Sequence, residues 1–363
     1  MKICEQLQGR TLVGKKRGTE WQVGELIGQH EGNTPGHFSV GYHVTSSDGH
    51  KAFMKTSALS LTPGSGDLLH RITTIANAHT FERSVLDHCN GNNMDRVVTA
   101  LDYGDEQVAV DGNFDFIFFL IFEMADGDMR RHVTRDGEID LLWGVTTLHN
   151  MFVATSQLHS AFIAHNDIKP ANALIFDKKI QKMADLGRAT SEDFPAPHDV
   201  LNCAGDLRFA PPEQLYPSSH NHPELNRIQK RMVGDLYNLG SLLHYLITAR
   251  MITPDIVATM RPEHRPRTAI EGSQDSYQVA LPYWREALAA QMERLSAAAS
   301  SRFGPGTKQE SSMLIEMVRQ LCEPDPMLRG NPKNRQYREN PFGLNRYISS
   351  LDNIQKRLAV KAA

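Results

Sequence analysis

A polar run that ends at Asn172 limits what this chain can be more than any other feature of its sequence. The run supplies the carboxylate of Asp167, the ammonium group of Lys169 and the side-chain amide of Asn172. A second carboxylate, Asp185, follows after a short apolar hairpin. Phosphoryl transfer uses one acid to align a hydroxyl, a lysine to offset phosphate charge, and an amide with a second acid to hold magnesium. Pro170 should keep this stretch in a loop, because proline interrupts helical hydrogen bonding.

The order of these residues has a counterpart in a known family. His-x-Asp-x-Lys-x-x-Asn at residues 165–172, followed by Asp185-Leu186-Gly187, resembles the catalytic and magnesium loops of eukaryotic-like serine/threonine protein kinases. Five kinase landmarks occur in kinase order over residues 21–329: a lysine strand, a hinge, the catalytic loop, Asp-x-Gly, and a Pro-Glu pair with its arginine. The resemblance implies transfer of phosphate from ATP, with Mg²⁺, to serine or threonine hydroxyls of a protein substrate. A chance polar loop between two strands is the alternative interpretation.

The same resemblance implies an α+β, bilobal, protein-kinase-like fold. Residues 21–124 would form a small N-lobe with an antiparallel sheet and one main helix, and residues 125–363 a larger, mostly helical C-lobe. Residues 1–20 show little periodicity and are interpreted as a lead-in. Residues 251–306 are interpreted as an enlarged insert within the C-lobe, with no function assigned to it.

Local patterns predict the elements of both lobes. Alternation and an Asp-Gly turn predict the strands of the N-lobe sheet at residues 21–27, 38–44, 52–55, 97–103 and 114–124. The uniformly apolar residues 116–122 predict that the last strand is buried on both faces. Helical spacing predicts helices at residues 68–89, 141–158, 232–248, 283–299 and 347–358. Two short strands are expected at residues 173–176 and 180–183.

Several N-lobe residues match positions that bind ATP in the family. Glycines are needed where backbone N–H groups approach phosphate oxygens closely. An irregular glycine-rich stretch that contains Gly28 and Gly36 and ends at Val40 stands where kinases have such a loop. Lys55 matches the lysine that binds the α- and β-phosphates, with Glu82 as its acidic partner. A plain hairpin loop and an exposed helix glutamate are the alternative interpretations.

The residues around the expected adenine site include one departure from the family. Phe53 stands two residues before the phosphate-binding lysine, where kinases have a small alanine. It either stacks on or crowds the base, unless the strand register is shifted by one residue. Phe122 would close the back of the adenine pocket, and the Glu123 carbonyl and Ala125 N–H would bind adenine by position. Asp128 would lie near the ribose, although a simple loop leaving a strand is the alternative.

In the C-lobe the resemblance gives each polar residue of the opening motif a role. Asp167 would orient and then deprotonate the substrate hydroxyl, and Lys169 would lie along the γ-phosphate. Asn172 and Asp185 would hold the metal ion.

Three residues further along the chain match structural positions of kinases. Ala-Pro-Pro-Glu, which ends at Glu213, resembles the motif that closes the activation segment, and Arg329 matches the arginine that pairs with its glutamate. Asp235 lies inside an apolar helical run, where a charge must find partners. It matches the aspartate that anchors the backbone of the catalytic loop.

Two departures bear on the substrate and on regulation. Asp206 stands where serine/threonine kinases keep a threonine that faces the catalytic aspartate. Asn166 replaces the arginine that binds an activation-segment phosphate through charge-assisted hydrogen bonds. Activity is therefore expected not to depend on phosphorylation of Thr190 or Ser191.

Composition argues against several other classes of protein. A formal net charge of -3, with only a short basic run at residues 15–17, gives no reason to expect nucleic-acid binding. Four scattered cysteines without a Cys-x-x-Cys pair argue against zinc and a disulfide framework, and they fit a reducing cytoplasm. No apolar run is long enough to span a bilayer and no secretory segment is recognised, so a cytoplasmic location without a membrane partner is expected. His220 and His222 are interpreted as a polar loop rather than a metal site.

Two other functions stay open beside an active protein kinase. The chain could be a pseudokinase, which uses the fold as a binding or regulatory module. It could also phosphorylate a small-molecule hydroxyl, because aminoglycoside phosphotransferases share His-x-Asp and the later asparagine. Those enzymes lack the Pro-Glu segment, the aspartate in the buried helix and the matching arginine. Nothing in the sequence indicates an oligomeric state.

Overall fold

The chain divides into two compact units. In the computed structural model the described residues are 3–27, 39–58, 68–110, 113–135, 137, 139–177, 180–216, 224–266, 277–336 and 340–362. The first unit comprises Met1–Asp126 with Phe194–Pro197, and the second comprises Gly127–Asp193 with His198–Ala363. The first unit is built on an antiparallel sheet and the second is mostly helical, so the predicted α+β, bilobal arrangement is confirmed.

An antiparallel sheet in the order β1-β2-β3-β4-β6-β5 forms the centre of the first unit. Its strands are β1 (Thr11–Val13), β2 (Glu20–Ile27), β3 (Ser39–Ser46), β4 (Lys51–Ala58), β5 (Ala100–Val110) and β6 (Asn113–Glu123). The unit's main helix is α1 (Leu68–Gly91). Side chains alternate between the two faces of each strand, so Ala52, Met54 and Thr56 of β4 are buried while the residues between them are half-buried.

The residues before Trp21 belong to this sheet, although their weak periodicity suggested a lead-in. Strand β1 pairs with β2, and Cys4, Leu7 and Leu12 are buried in the core cluster on one face of the sheet. The Tyr42 hydroxyl donates to the Cys4 carbonyl at 2.8 Å and accepts the Leu7 N–H at 3.3 Å. A three-residue strand is too short to show alternation, so its sequence carries no strand signal.

Strand β6 is not buried on both faces along its whole length. Its residues from Ile117 to Phe122 are buried or half-buried, but the Phe116 side chain is 48% exposed. Phe116 pairs with Gln107, close to the turn that joins β5 to β6. The apolar run thus predicted the strand correctly and overestimated its burial at one end.

The second unit is assembled from helices around a few short strands. The helices are α2 (Leu141–Ser160), α3 (Arg227–Thr248), α4 (Ile252–Thr259), α5 (Tyr277–Phe303), α6 (Lys308–Leu321) and α7 (Asn345–Ala362). The strands are β7 (Gly127–Asp128), β8 (Ile163–Ala164), β9 (Ala173–Phe176), β10 (Ile180–Met183) and β11 (Thr190–Ser191). They form two small sheets, β10-β9-β7 and β11-β8, which hold the polar loops in place.

Helix α3 is the central helix of this unit. It begins with a capping box between Asn226 and Gln229 and ends at Ala249, whose φ of 53° is left-handed. Most of its side chains are buried, as its apolar sequence predicted, and Asp235 is fully buried among them.

The segment predicted as an insert contains α4 and α5. Helix α5 is longer than its sequence signal, and it contains Pro282 close to its beginning, where proline costs few helical hydrogen bonds. Trp284 of α5 is fully buried and its indole N–H donates to the Tyr216 hydroxyl at 2.9 Å. This contact fixes α5 to the body of the unit.

Within the described ranges, none of the helices combines the length and the apolar character needed to cross a bilayer.

Candidate active site

Strand β4 and helix α1 bring Lys55 and Glu82 together in the first unit. The Lys55 ammonium group donates to both carboxylate oxygens of Glu82, at 2.9 and 3.1 Å. Glu82 is 7% exposed, so it is not the exposed helix glutamate of the alternative interpretation. Charge-assisted contacts to both oxygens hold the lysine in one position on its face of the sheet.

Phe53 lies on the same face of β4 as Lys55, because residues two apart in a strand point the same way. The pairing of Lys55 with Glu82 therefore excludes the alternative of a register shifted by one residue. The Phe53 ring rests against Gly41, where an added Cβ would lie 2.7 Å from Phe53 Cε2. The centroid of the same ring is 6.4 Å from that of Phe122.

Val40 was predicted to line the nucleotide site, but it points away from Lys55. Val40 is opposite Thr56 in the β3–β4 pairing and is buried in the core cluster on the other face of the sheet. The residue opposite Lys55 is Gly41. Gly41 was not among the residues predicted from the sequence. Pairing the residues of the β3–β4 hairpin outward from its Asp-Gly turn would have placed Gly41 opposite Lys55. Gly28 and Gly36 lie outside the described residues.

The hinge residues predicted to bind adenine follow directly from β6. Glu123 exchanges hydrogen bonds with Thr99, since its N–H donates to the Thr99 carbonyl at 3.2 Å and its carboxylate accepts the Thr99 N–H at 2.7 Å. Glu123 and Ala125 are both half-buried. In the second unit, the Asp128 carboxylate caps a single 3-10 turn and accepts from the backbone and guanidinium of Arg130 at 2.8–3.0 Å.

Asp235 of α3 holds the backbone at the start of the catalytic loop. Its carboxylate accepts the N–H groups of His165 at 2.7 Å and Asn166 at 2.8 Å, and it lies 3.0 Å from Nε2 of His159. Asn166 has a φ of 64°, a left-handed conformation that a non-glycine residue adopts only when its surroundings enforce it. The buried charge thus has its partners, and they determine the shape of the loop.

The His165 ring links this loop to the segment that carries Asp185. Its Nδ1 accepts the Asp167 N–H at 3.2 Å, and its Nε2 lies 3.0 Å from the Ala184 carbonyl. One nitrogen must accept and the other must donate, so the ring is the neutral tautomer protonated at Nε2. Sequence reasoning gave this histidine no role beyond its place in the motif.

The Asp167 carboxylate is held from two sides. Lys169 Nζ donates to its Oδ2 at 2.7 Å, and the Asp206 N–H donates to its Oδ1 at 3.0 Å. Asn172 Nδ2 donates to the Asp167 carbonyl at 2.8 Å and is 3.3 Å from Oδ2. Pro170 begins a single 3-10 turn at residues 170–172, rather than a fully irregular loop, and this turn presents Asn172 to the aspartate.

Asp206 contacts Asp167 through its backbone N–H. Its carboxylate accepts from Arg208 Nη2 at 2.6 Å and Nε at 3.0 Å. Burial alone would raise the pKa of Asp206, but the hydrogen bonds and charge of Arg208 bring that pKa below its ordinary value. The preceding Gly205 has no room for a side chain, since an added Cβ would lie 2.2 Å from the Asn166 carbonyl oxygen.

Asn172 and Asp185 sit at adjoining ends of the β9–β10 hairpin. Ala173 is opposite Met183, and the Ala184 N–H donates to the Asn172 carbonyl at 2.9 Å. Asp185 follows with a left-handed φ of 65°. Because the Asn172 amide nitrogen is directed at Asp167, its Oδ1 is the atom suited to a metal, and a carboxylate with an amide oxygen is a donor set that suits Mg²⁺. No cluster of three or more His, Cys, Asp or Glu side chains suited to a metal occurs in the described part of the chain.

The segment after Asp185 is fastened by hydrogen bonds and an ion pair that involve Asn166, Thr190 and Asp199. Asn166 Nδ2 donates to the Arg188 carbonyl at 2.8 Å and lies 2.9 Å from Thr190 Oγ1. The Thr190 hydroxyl donates to Asp199 at 3.1 Å, and Arg227 of α3 pairs with the same carboxylate at 2.8 Å.

A second arginine of α3 holds the following stretch of backbone. Arg231 donates to the carbonyl groups of Asp199, Leu201 and Asn202 at 2.5–3.3 Å. Its side chain is buried, and burial lowers the pKa of Arg231. The arginine therefore anchors this stretch from inside the unit.

The closing motif of the segment is tied to the chain before α7. Arg329 donates to the two carboxylate oxygens of Glu213 at 2.7 and 2.8 Å. Burial would lower the pKa of Arg329, but Glu213 raises it above its ordinary value, so the pair stays charged. Further bonds from Arg329 reach the carbonyls of Val233, Glu323 and Pro324.

Comparisons with known proteins agree with this geometry. The family model of the protein kinase domain matches residues 36–342. A serine/threonine-protein kinase PrkC from Bacillus subtilis is 25% identical over 169 residues, which is 46% of this chain and 22% of that protein. A calmodulin-binding receptor-like cytoplasmic kinase 1 from Arabidopsis thaliana is 27% identical over 174 residues, or 46% of this chain and 32% of that protein. The chain thus spans less than a third of each of these relatives, while the family model covers most of its own length, and it belongs to the protein kinase domain family.

Proposed function

We propose that this chain transfers the γ-phosphate of ATP, in the presence of Mg²⁺, to serine or threonine hydroxyls of a protein substrate. The observation that carries the proposal is the position of Asp167. One carboxylate oxygen accepts the Lys169 ammonium group and the other accepts the Asp206 N–H, so the acid is held in one orientation. A fixed acid of this kind can align a hydroxyl and take its proton.

Other polar residues of the second unit would bind the phosphate and the metal ion. Lys169 would lie along the γ-phosphate, and its contact with Asp167 keeps its charge beside the acceptor oxygen. Asn172 Oδ1 and the Asp185 carboxylate would hold Mg²⁺, which neutralises phosphate charge when it is bound. Asp235 and His165 act through the backbone, since they shape the loop that carries Asp167.

The first unit would bind the nucleotide. Lys55, positioned by Glu82, would bind the α- and β-phosphates. The Glu123 carbonyl and the Ala125 N–H would bind adenine, while Gly28 and Gly36 would bring backbone N–H groups to the phosphates. Asp128 would reach the ribose only by releasing some of its bonds to Arg130. Buried free thiols, as at Cys89 and Cys322, are compatible with the reducing cytoplasm that we propose as its location.

A pseudokinase is the second candidate, and one observation favours it. Phe53 shares the face of Lys55, so a large ring occupies the position where the family keeps a small side chain. If that ring excludes adenine, the fold would serve as a binding module. Its contact with Gly41 draws the ring toward β3, which favours the active kinase.

Transfer of labelled phosphate from ATP to a panel of basic and acidic proteins tests the proposal. The wild type should label at least one acceptor, whereas Asp167→Asn should lose about a thousand-fold or more of the rate, since it loses the base and its charge. Asp352→Asn is the matched control, because that exposed acid on α7 contacts only Lys356 among the described residues. Equal labelling by the wild type and Asp167→Asn would refute the proposal that this chain is an active kinase.

The same samples separate the two candidates. A pseudokinase predicts thermal stabilisation by ATP without labelling in any variant. Labelling of a small hydroxyl compound, but of no protein, would instead identify a small-molecule kinase.

A further inference from the structure

A cavity of about 610 Å³ lies in the second unit, away from the residues of the catalytic loop. It is bounded by the end of α3, by α4 and α5, and by the chain that precedes α2. Small-molecule sites in proteins typically measure a few hundred to about a thousand Å³. The space is therefore large enough for a whole small ligand rather than for a single ion.

Positive charge is concentrated around this cavity. Among the described residues, its lining contains Arg135, Arg250, Arg294 and Arg302 but only one acid, Asp255. Arg250 is neutralised, because its Nε donates to Asp255 at 2.9 Å. The other three arginines make no ion pair with any described acid. The charge is local, since the chain as a whole has a formal net charge of -3.

Neutral oxygen atoms hold two of these three arginines in place. Arg294 Nη1 donates to the Thr259 hydroxyl at 3.0 Å. Arg302 donates to the carbonyls of Thr134 at 2.6 Å and Arg135 at 3.3 Å. The Arg302 Nε is buried without a hydrogen-bond partner among the described residues, and burial lowers the pKa of this guanidinium. These contacts fix Arg294 and Arg302 without pairing either with an acid of the described part of the chain.

The floor of the cavity is apolar and its walls are tied together. Ile247 and Leu295 line it and are almost completely buried. Gln291 of α5 donates to the Asp255 carbonyl at 2.8 Å and to the Thr259 hydroxyl at 2.6 Å, which joins α5 to α4. The cavity is thus formed before any ligand enters.

We propose that this cavity binds a small molecule that carries a phosphate group on an uncharged, partly apolar body. Guanidinium groups match phosphate oxygens with paired hydrogen bonds, and a dianion compensates more than one of them. The volume requires a ligand body, because a free phosphate would fill only a small part of a cavity of about 610 Å³. The proposal does not depend on the function proposed above, because none of the catalytic residues lines this cavity.

Calorimetric titration with three probes tests the proposal on the full chain. Phenyl phosphate carries both features, inorganic phosphate carries only the charge, and benzyl alcohol carries only the body. We expect phenyl phosphate to bind at least about ten-fold more tightly than either of the others. Equal affinity for phenyl phosphate and inorganic phosphate would overturn the proposed ligand class.

Substitutions locate the binding. The double variant Arg135→Gln/Arg294→Gln should bind phenyl phosphate about ten-fold more weakly, since both side chains are exposed and can be replaced without opening the core. Arg319→Gln, which removes an exposed arginine of α6, is the matched control and should bind as the wild type does. Unchanged affinity in the double variant would overturn the site.

Two further measurements distinguish this cavity from the proposed nucleotide site. Lys55→Met should keep full affinity for phenyl phosphate, and loss of binding in that variant would place the probe at the nucleotide site instead. In the wild type, phenyl phosphate should slow hydrogen exchange in residues 252–259 and 291–302. This readout does not require any variant to fold, and protection confined to other segments would refute the proposal.

Discussion

Arg329 and Glu213 form a two-pronged ion pair in which Arg329 is 0% exposed. Removing the arginine would leave the Glu213 carboxylate buried without its partner and several carbonyl groups without a donor. We expect Arg329→Ala to lower the free energy of unfolding by about 3–5 kcal/mol. Urea denaturation followed by circular dichroism measures this change.

The matched control for that variant is Arg319→Ala. Its partner Glu316 lies on the same helix, and both side chains are about half exposed. An exposed pair contributes less than about 1 kcal/mol, so this variant should denature almost like the wild type. Similar losses in the free energy of unfolding of the two variants would show that the buried pair of Arg329 and Glu213 stabilises the protein no more than an exposed pair does.

The contact between Phe53 and Gly41 predicts a coupled pair of substitutions. A Cβ at Gly41 would lie 2.7 Å from the Phe53 ring, so Gly41→Ala must displace the ring or shift the strand. We expect a loss of about 1–3 kcal/mol in the free energy of unfolding. In the Phe53→Ala background the same change should cost nothing or stabilise the strand, because the obstructing ring is gone.

A double-mutant cycle in urea measures this coupling directly. Additive effects of the two substitutions would contradict the observed packing. The ATP affinities of the four proteins of the cycle then show whether the Phe53 ring crowds the adenine base. If Phe53 crowds the base, Phe53→Ala should bind ATP more tightly and Gly41→Ala, which pushes the ring outward, more weakly.

The fastening of the segment around Thr190 predicts that phosphorylation is dispensable. Thr190 and Ser191 are 0% and 1% exposed, so another kinase cannot reach their hydroxyls in this conformation. The double variant Thr190→Ala/Ser191→Ala should keep phosphate transfer within about ten-fold of the wild type, since each lost hydrogen bond contributes about 1 kcal/mol. A folded variant without activity would disprove this expectation.

Asp199→Asn is the complementary change. It removes the charge that pairs with Arg227 and accepts from Thr190. We expect faster proteolytic cleavage within residues 191–203 and a several-fold slower transfer rate, with little change in global stability because the pair is partly exposed. Unchanged cleavage would show that Asp199 does not hold the segment.

Burial of His244 predicts a defined dependence of stability on pH. Desolvation lowers the pKa of this histidine from its ordinary 6.5 to about 4. Between these pH values the unfolded chain binds more protons at this ring than the folded chain does, so stability falls as pH decreases from about 6.5 to about 4. Below and above that window this group contributes no further slope.

Unfolding midpoints at pH 7 and pH 5 measure the effect. His244→Gln should lose less stability over this interval than the wild type, by on the order of 1–2 kcal/mol. The exposed His50→Gln is the control and should follow the wild type. An identical pH response in His244→Gln would exclude this histidine as the cause.

Sequence patterns predicted strands β2 to β6 and helices such as α2 and α3 because these elements are long and periodic, whereas strands of two or three residues show no period. The hairpin of β9 and β10 was predicted from the sequence pattern, and the contact between Lys55 and Glu82 was implied by the resemblance to the kinase family. The face occupied by Val40 was not, because a one-residue change in counting reverses the direction of every side chain.

Hydrogen bonds donated by a backbone N–H to a side chain of the site, such as the bond from Asp206 to Asp167, were not predicted from the residue types. The bond from the Asp206 N–H to Asp167 does not depend on which side chain position 206 carries, so the replacement of threonine does not remove it. Residues 1–20 were interpreted as a lead-in, and the contacts of the Cys4 and Leu7 backbone groups with the Tyr42 hydroxyl were not predicted for a similar reason.

The link from Asp199 to Arg227 and Thr190 uses a carboxylate where a regulated segment would use a phosphate ester. A carboxylate is encoded in the chain from the moment of synthesis, and no phosphatase can remove it. This link therefore holds the segment regardless of the balance of kinases and phosphatases around the protein.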